Sequence, residues 1–533
     1  MAAARLSLLV IDQAFVGHLG TPELAGASLA GVWIDVISGW MWPSFGTAVS
    51  TLASQAIGAK NEPLAGVWLQ TGLVLGAIAS LPVMGGLAAS EPMFTSLGFG
   101  AHESQLAGTF AAWFAPGIAA GFPFVILLSF LKAQAVVIGP MVISLGMVAV
   151  NILMNMVMIH GTTWFEPEGT EPLWRGLGFI GSPIATSLTR WIALGALSVF
   201  VCVTRERSPA SSLARTCTGP QCAEALSARR MWQMACGFAI PLALSNLLEE
   251  LQLQVVAFLA AQLGEAQLAA HTSMLTLFFF CSAAMYSAVD ATAARIGRHL
   301  GAGTVHRGRF VMYLDLLFSL ASAVVVASVL GGAGGNLARL FSSDPAVIDA
   351  VRPLAVLVGC CYALLCLFFV SVAVLDAMGK TSAVATAFVA GAWLVAVPLA
   401  FVLDRMAGLG LNGLWYGLAT GYAVVTVIAV VFVVRADWDE ASRRAISVAR
   451  NHSTAGPPSS RAAPLASQFL ATTKAPRRSA LRAGSGLGSP LLDDLPDTVG
   501  PDAAGAAAPP AGWGAPRSYA PPAGHGSITS AGP

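Results

Sequence analysis

Asp12 interrupts the aliphatic run "LLVIDQAFVGHLG" (Leu8–Gly20) of a chain that is 56% hydrophobic and only 10% charged. Ionising an acid at the centre of a bilayer costs about 2.5–3.5 kcal/mol on insertion scales, and a proton or a bound cation meets that cost. Those are the two states that a coupled exchanger alternates between. Asn151 and Asn155, in "NILMN", are i and i+4 apart and share one helix face. Amides so placed can donate to a carboxylate and lend carbonyl oxygens to a cation. A second polar face lies in "SNLLEELQLQ" (Ser245–Gln254), where Asn246, Glu249, Glu250 and Gln254 fall within an arc of about 140° at 100° per residue. Arg190 stands near the middle of another apolar run, so it should face a cavity or an acid rather than lipid. Trp33, with Trp40, Trp42 and Trp113, offers aromatic faces for flat organic cations.

Each of these readings has a plainer rival. Asp12 could be solvated at a wet helix end, the asparagines could make ordinary interhelical bonds, and the glutamates could lie at a helix end. Tryptophans are common at membrane interfaces. No enzyme chemistry competes: the chain has no Walker-type phosphate loop, no HExxH and no GxSxG. Its eight cysteines lack zinc-type spacing, and no basic stripe points to nucleic acid.

The elements that must position these groups are membrane helices. A soluble domain carries about 25% charged residues, and a span needs roughly 20 mostly apolar ones. Twelve runs are predicted, near 6–17, 28–54, 66–89, 107–130, 136–159, 178–203, 233–261, 268–293, 310–333, 353–375, 383–403 and 413–434. Lys60, Lys132, Arg205, Arg229, Arg230, Arg298, Arg307 and Lys380 fall on alternate connections, which places those connections and both termini in the cytoplasm. From residue 436 the composition turns to Ala, Pro, Gly and Ser, and a disordered, solvated cytoplasmic tail is expected over 436–533.

The chain also repeats itself at an offset of about 244 residues. "LGTPELAGASL" (Leu19–Leu29) lines up with "LGEAQLAAHTS" (Leu263–Ser273), and "FLKAQ" (Phe130–Gln134) with "VLDAM" (Val374–Met378). "GLGFIG" (Gly176–Gly181) and "GLGLNG" (Gly408–Gly413) precede the last span of each half. Six spans return the chain to its starting side, so the expected fold is all-α, with two parallel-repeat six-helix lobes. The lobes cover 1–204 and 231–435, joined by a cytoplasmic loop over 205–230. The second copy's first span starts near 233, whereas residue 1 corresponds to about 245. A first helix shortened at its cytoplasmic end is therefore expected, with Asp12 close to water there.

At these residues the sequence resembles the multidrug and toxic compound extrusion (MATE) family. The likeness is carried by "FVGHLGTPELAGASLA" (Phe15–Ala30), "TLASQAIGAKN" (Thr51–Asn61), "LKAQAVVIGP" (Leu131–Pro140), "GLGFIGSPIATS" (Gly176–Ser187) and "LGAG" (Leu300–Gly303). It covers residues 8–435. The resemblance implies a secondary antiporter that exports organic compounds, usually cations, against inward H⁺ or Na⁺. It implies no cofactor beyond that coupling ion, a small organic substrate, a lipid bilayer, and a monomer in the plasma or vacuolar membrane. It assigns Asp12, Asn151 and Asn155 to an N-lobe coupling site, with Gln13 in place of the family's threonine. Glu249 matches the first of two C-lobe glutamates; Gln254 stands at the second, Glu250 replaces a tryptophan, and Leu365 takes the place of the tenth-helix acid. Glu250, Gln254, Arg190 and Trp33 are then candidates for the substrate cavity. A lipid-linked precursor flippase of the wider superfamily and a non-transporting membrane scaffold are the alternatives.

Overall fold

A computed structural model describes residues 2–161, 174–204, 224–338 and 345–453, and among them it is all-helical. Twelve principal helices follow one another: α1 (Ala2–Gly17), α2 (Thr21–Gly58), α3 (Glu62–Ala88), α4 (Ala101–Ala133), α5 (Ile138–His160), α6 (Gly178–Val203), α7 (Ala228–Ala261), α8 (Glu265–Gly301), α9 (Val305–Ala338), α10 (Pro345–Ala377), α11 (Thr381–Arg405) and α12 (Gly410–Val434). Eleven of them, α2 to α12, are long and apolar enough to cross a membrane. Each predicted run lies within one of these helices or overruns it by a residue or two. The helices extend beyond the hydrocarbon-length runs, since polar terminal turns remain helical where they are capped. Asn61, for example, accepts from the Leu64 amide at 3.1 Å and starts α3, with Pro63 pre-set for the first turn.

The internal repeat is visible in the backbone. Ala135, after α4, takes φ +63°, and Gly379, its counterpart after α10, takes +71°. Lys60 (+58°) after α2 is matched by Gly303 (+74°) after α8. One half thus uses glycine where the other tolerates a side chain in the left-handed region, so the turn geometry rather than the residue has been kept. Gly176 and Gly178, like Gly408 and Gly410, all have positive φ, which explains the glycines of the two "GLG" motifs.

Buried apolar side chains form two principal clusters. The first draws on α1 to α4 and α6, with Met234, Ala239 and Leu242 of α7. The second runs from Val256 to Ala429. The halves meet at the end of the bundle that carries Lys60, Lys132, Arg298 and Lys380. There Gln55 Nε2 of α2 donates to the Ala377 carbonyl of α10 (2.7 Å), and Lys132 pairs with Asp290 of α8 at 2.8 Å. Glycines let α2 and α8 touch backbone to backbone: a Cβ on Gly58 would strike the Arg298 carbonyl, and one on Gly301 the Gln55 carbonyl.

Two sequence expectations need correction. The inter-lobe loop ends sooner than 230, because Ser227 caps α7 and Arg230 is already helical, paired with Glu224 at 2.9 Å and stacked on Trp68. Residues 205–223 lie outside the described part. The tail, expected to be disordered from 436, instead folds over Trp438–Ser453 into a further helix, α13. Its residues Trp438, Ala441, Ser442, Ala445 and Ala449 are buried at helical spacing, while Arg443, Arg444 and Arg450 point outward. The alanines that made this stretch look like low-complexity tail are what let α13 lie close to its neighbours. At the start of α13 the Glu440 amide donates to Asp437 Oδ1 (2.9 Å), which holds that carboxyl below the usual range.

α13 spans both halves. Ser442 Oγ donates to the Leu300 carbonyl of α8 (2.7 Å), and the Ala449 carbonyl accepts from Asn61 Nδ2 of α3 (2.8 Å). Trp438 belongs to a small cluster with Ile296, Leu300, Val374 and Ala377. Emptying a buried tryptophan site costs about 3–5 kcal/mol. Trp438→Ala is therefore expected to lower the melting temperature in detergent by several degrees; an unchanged melting curve would show that α13 is not docked. Residues 454–533, the remainder of the expected tail, lie outside the described part, as do 162–173.

Candidate functional site

Asp12 lies on α1, buried to 4% exposure, which overturns the reading of it as solvated at a wet helix end. Three side chains from two other helices converge on its carboxylate. Asn155 Nδ2 of α5 donates to Oδ1 at 2.8 Å, and Asn151 Nδ2 approaches the same oxygen at 3.4 Å. Thr186 Oγ1 of α6 donates to Oδ2 at 2.5 Å, and Asn151 Nδ2 also lies 3.2 Å from that hydroxyl. Both asparagines are fully buried. Helix α5 presents them on one face, as their spacing predicts, and it loosens into a π turn at Met156–His160 directly after Asn155. The sequence thus brings Asp12, Asn151 and Asn155 together as expected.

Sequence reasoning missed Thr186. The signal was present, since Thr186 lies inside "GSPIATS" and one turn before Arg190. A helical threonine, however, most often bonds its own i−4 carbonyl, as Thr189 does to Ala185 (2.8 Å), and so attracts no attention.

Arg190 faces inward from α6. Its guanidinium carbon sits 4.3 Å from the Phe114 ring centroid and 4.5 Å from that of Trp42, and it lies within electrostatic reach of Asp12. Aromatic faces favour a poorly hydrated cation in such a place. Arg190 thus has the acid neighbour that an intramembrane cation requires.

The cluster can change its charge in two ways. The carboxylate already accepts from two amides and a hydroxyl, which suits an anion. The Oδ1 atoms of Asn151 and Asn155 have no hydrogen-bond partner among the described residues. These two amide oxygens, beside a carboxylate, supply the acceptors that an incoming cation or a protonated acid would use.

The second polar face is arranged differently from the sequence expectation. Gln254 is exposed and donates to Glu250 Oε1 at 2.9 Å. The fully buried amide of α7 is Gln252, and neither its nitrogen nor its oxygen has a partner among the described residues. Glu249 is half-buried, with Tyr286 of α8 and Tyr422 of α12 in electrostatic range. Asn246 turns toward the first half and donates to Ser44 Oγ of α2 at 3.0 Å. Trp393, in a π-helical stretch of α11, donates to the Leu248 carbonyl (3.0 Å) and fixes α7 against α11. Trp33 packs edge-on against Phe94, with ring centroids 6.3 Å apart, as part of the first apolar cluster.

The family model described as MatE matches residues 3–157 and 241–402. Protein DETOXIFICATION 36 of Arabidopsis thaliana is 26% identical over 448 residues, covering 82% of this chain and 83% of the relative. Multidrug and toxin extrusion protein 1 of Danio rerio is 22% identical over 441 residues, covering 82% and 70%. The crystal structure of the eukaryotic MATE transporter AtDTX14 matches with a TM-score of 0.75 at 23% identity, over 84% of this chain and 95% of that one. A mutant of the Vibrio cholerae MATE transporter VcmN gives 0.70 at 20% identity, over 84% and 94%. At these identities the structural likeness establishes the twelve-helix fold. The family model matches more than half of the sequence, and this chain belongs to the MatE family: it is a multi-pass membrane transporter, not an enzyme.

Proposed function

We propose that this transporter is a secondary antiporter that exports organic cations in exchange for inward H⁺ or Na⁺, with Asp12 as the principal coupling group. The observation that carries the reading is the buried carboxylate of Asp12, held between Asn151, Asn155 and Thr186 of two other helices. In the ionised state the three donors and nearby Arg190 balance the charge. In the loaded state a proton or a sodium ion takes over that task, and the orphaned amide oxygens of Asn151 and Asn155 accept from it or ligate it. Gain and loss of one charge inside the first half gives that half two packings of different stability, which is what alternating access needs.

The basic end, where α2 meets α8 and α10, is taken as cytoplasmic from its lysines and arginines. Closure there orients the coupling site toward the opposite, proton-supplying side. Glu249 is a second candidate coupling group, and Glu250, with Gln254, a candidate for the substrate path. Arg190 is stacked between two aromatic rings within electrostatic reach of Asp12, so it does not furnish the basic cavity that a flippase for lipid-linked precursors would want.

The test is uptake of ethidium into proteoliposomes holding the full chain. An acid-inside gradient, or in separate vesicles a sodium-inside gradient, should drive accumulation well above the level without a gradient. Glu249→Gln is expected to lower the initial rate severalfold while leaving the gradient dependence in place. Uptake indifferent to both gradients, with ethidium and with an anionic dye alike, would overturn the antiport reading.

A further inference from the structure

Three buried acids of the second half have no task in the cycle above, Asp315, Asp376 and Asp404, and Asp404 is paired with Arg405. Asp315 lies on α9 with 5% of its surface exposed, and its Oδ2 has no hydrogen-bond partner among the described residues. One turn further along, Ser319 is 1% exposed and its Oγ is likewise unpartnered. Ser104 and Ser182 share that state, but most buried helical serines here do not. Ser38, Ser44, Ser144, Ser245 and Ser282 all donate to the carbonyl four residues back, the ordinary way for a helical serine to satisfy itself. Ser319 forgoes that bond, and the residue four positions before it is Asp315 itself.

From the packed neighbours, Thr292 of α8 is in hydrogen-bonding reach of Asp315 and Cys366 of α10 is in electrostatic range of it. None of the ion pairs among the described residues reaches it. The polar stripe continues at Ser322, whose Oγ lies 2.9 Å from the Tyr362 hydroxyl of α10, and that hydroxyl donates to the Cys281 carbonyl (3.2 Å). Asp315, Ser319 and Ser322, spaced four and three apart, thus form one inward face of α9. The other face carries Tyr313, Leu314, Leu317 and Phe318, all exposed as a lipid-facing surface would be.

We propose that Asp315, with Thr292 and Ser319, forms a second proton-binding site, located in the second half of the chain. A buried carboxyl without a cationic partner is tolerated when it carries a proton, and hydroxyls suit both of its states because each can donate or accept. One carboxylate and two hydroxyls fall well short of the roughly six oxygens that a hard metal cation gathers. The site therefore takes a proton rather than a metal ion. Release of that proton leaves an anion that Thr292, and the Ser319 hydroxyl once it turns toward the carboxylate, must stabilise, so emptying the site must be coupled to a rearrangement of α8, α9 and α10.

This proposal rests on the antiport reading with H⁺ as the coupling ion, and the experiment separates the two. Full-length protein in proteoliposomes, with the membrane potential clamped at zero, is given a series of acid-inside gradients and ethidium as cargo. The limiting accumulation ratio rises with the proton ratio to the power of the number of exchanged protons. In Asp315→Asn that power is expected to fall by one while accumulation remains gradient-driven. A one-unit pH gradient would then support roughly tenfold less ethidium than in wild type, since one proton at that gradient is worth about 1.4 kcal/mol. Asp315→Glu should restore the wild-type power. An unchanged power in Asp315→Asn, or the same loss in Asp315→Glu, overturns the second site alone. A wild type that ignores the proton gradient overturns the antiport reading and this site with it.

Discussion

Asp12→Asn is expected to abolish gradient-driven uptake of ethidium while leaving the protein folded and able to bind it. The substitution keeps the shape of the side chain. Its Oδ1 still accepts from Asn155 and Asn151, and its new amide faces Thr186, whose hydroxyl rotates from donor to acceptor. What is lost is the ability to alternate between charged and neutral forms. Equilibrium binding of ethidium should therefore change little, whereas accumulation should become the same with and without a gradient, because a first half that cannot switch leaves a proton at Asp315 uncoupled as well. Thr186 offers a graded companion. Thr186→Val leaves Asp12 Oδ2 without its donor, and an unsatisfied buried acceptor costs about 1–3 kcal/mol. Coupled uptake should drop by roughly 5- to 150-fold if that cost falls on one step of the cycle. Thr186→Ser, which keeps the hydroxyl, should retain most of it. Full gradient-driven accumulation in Asp12→Asn would remove the carboxylate from the coupling mechanism.

The second large effect is conformational. Gly58→Val should destabilise the arrangement in which α2 and α8 touch at the basic end. A Cβ at Gly58 meets the carbonyl, carbon and Cα of Arg298, and these backbone atoms cannot turn away as a flexible side chain would. Overpacking of this kind typically costs about 1–3 kcal/mol. That is enough to move a two-state equilibrium by roughly 5- to 150-fold toward the state in which the halves separate there. Gly301→Val, which meets the Gln55 carbonyl across the same contact, should act in the same direction. Spin labels at Lys60→Cys and Lys380→Cys, in a background without other cysteines, report the opening as a shift to longer distances. Gly85→Val is the control, since nothing lies within 4 Å of its Cβ. Equal distance distributions in Gly58→Val and wild type would show that this contact does not hold the basic end closed.

Much of this was legible in the chain itself, for a reason particular to membranes. Backbone groups in hydrocarbon must be satisfied within the segment, so a long apolar run is a helix whatever surrounds it. That is why the twelve spans follow from composition and why only their ends moved, as at Ser227, where a cap starts α7 three residues inside the expected loop. The same logic isolates Asp12, Asn151 and Asn155, because polar groups among aliphatic ones are rare and costly. It fails where a polar residue has a local alternative. Thr186 looks like any self-bonded helical threonine until α1 is laid beside α6. Gln252 and Gln254 are two residues apart on one helix, and only packing shows that Gln252 is the buried one. Helix α13 was hidden because alanine and arginine are as common in a solvated tail as on an amphipathic helix. What distinguishes it is the cleft between Asn61 and Leu300 into which Ala441, Ala445 and Ala449 fit.

The sequence by itself therefore determined the twelve helices, the duplication, and the acids and amides available for ion coupling, since each depends on local hydropathy or on spacing along one helix. Tertiary structure alone decided which of those groups meet. Asp12 reaches its partners from a helix more than 130 residues away in the chain. Asp315 gains its significance from a neighbouring serine that forgoes its usual backbone bond. Burial, and the company a carboxylate keeps, are properties of how helices pack, and no periodicity along a single helix encodes them.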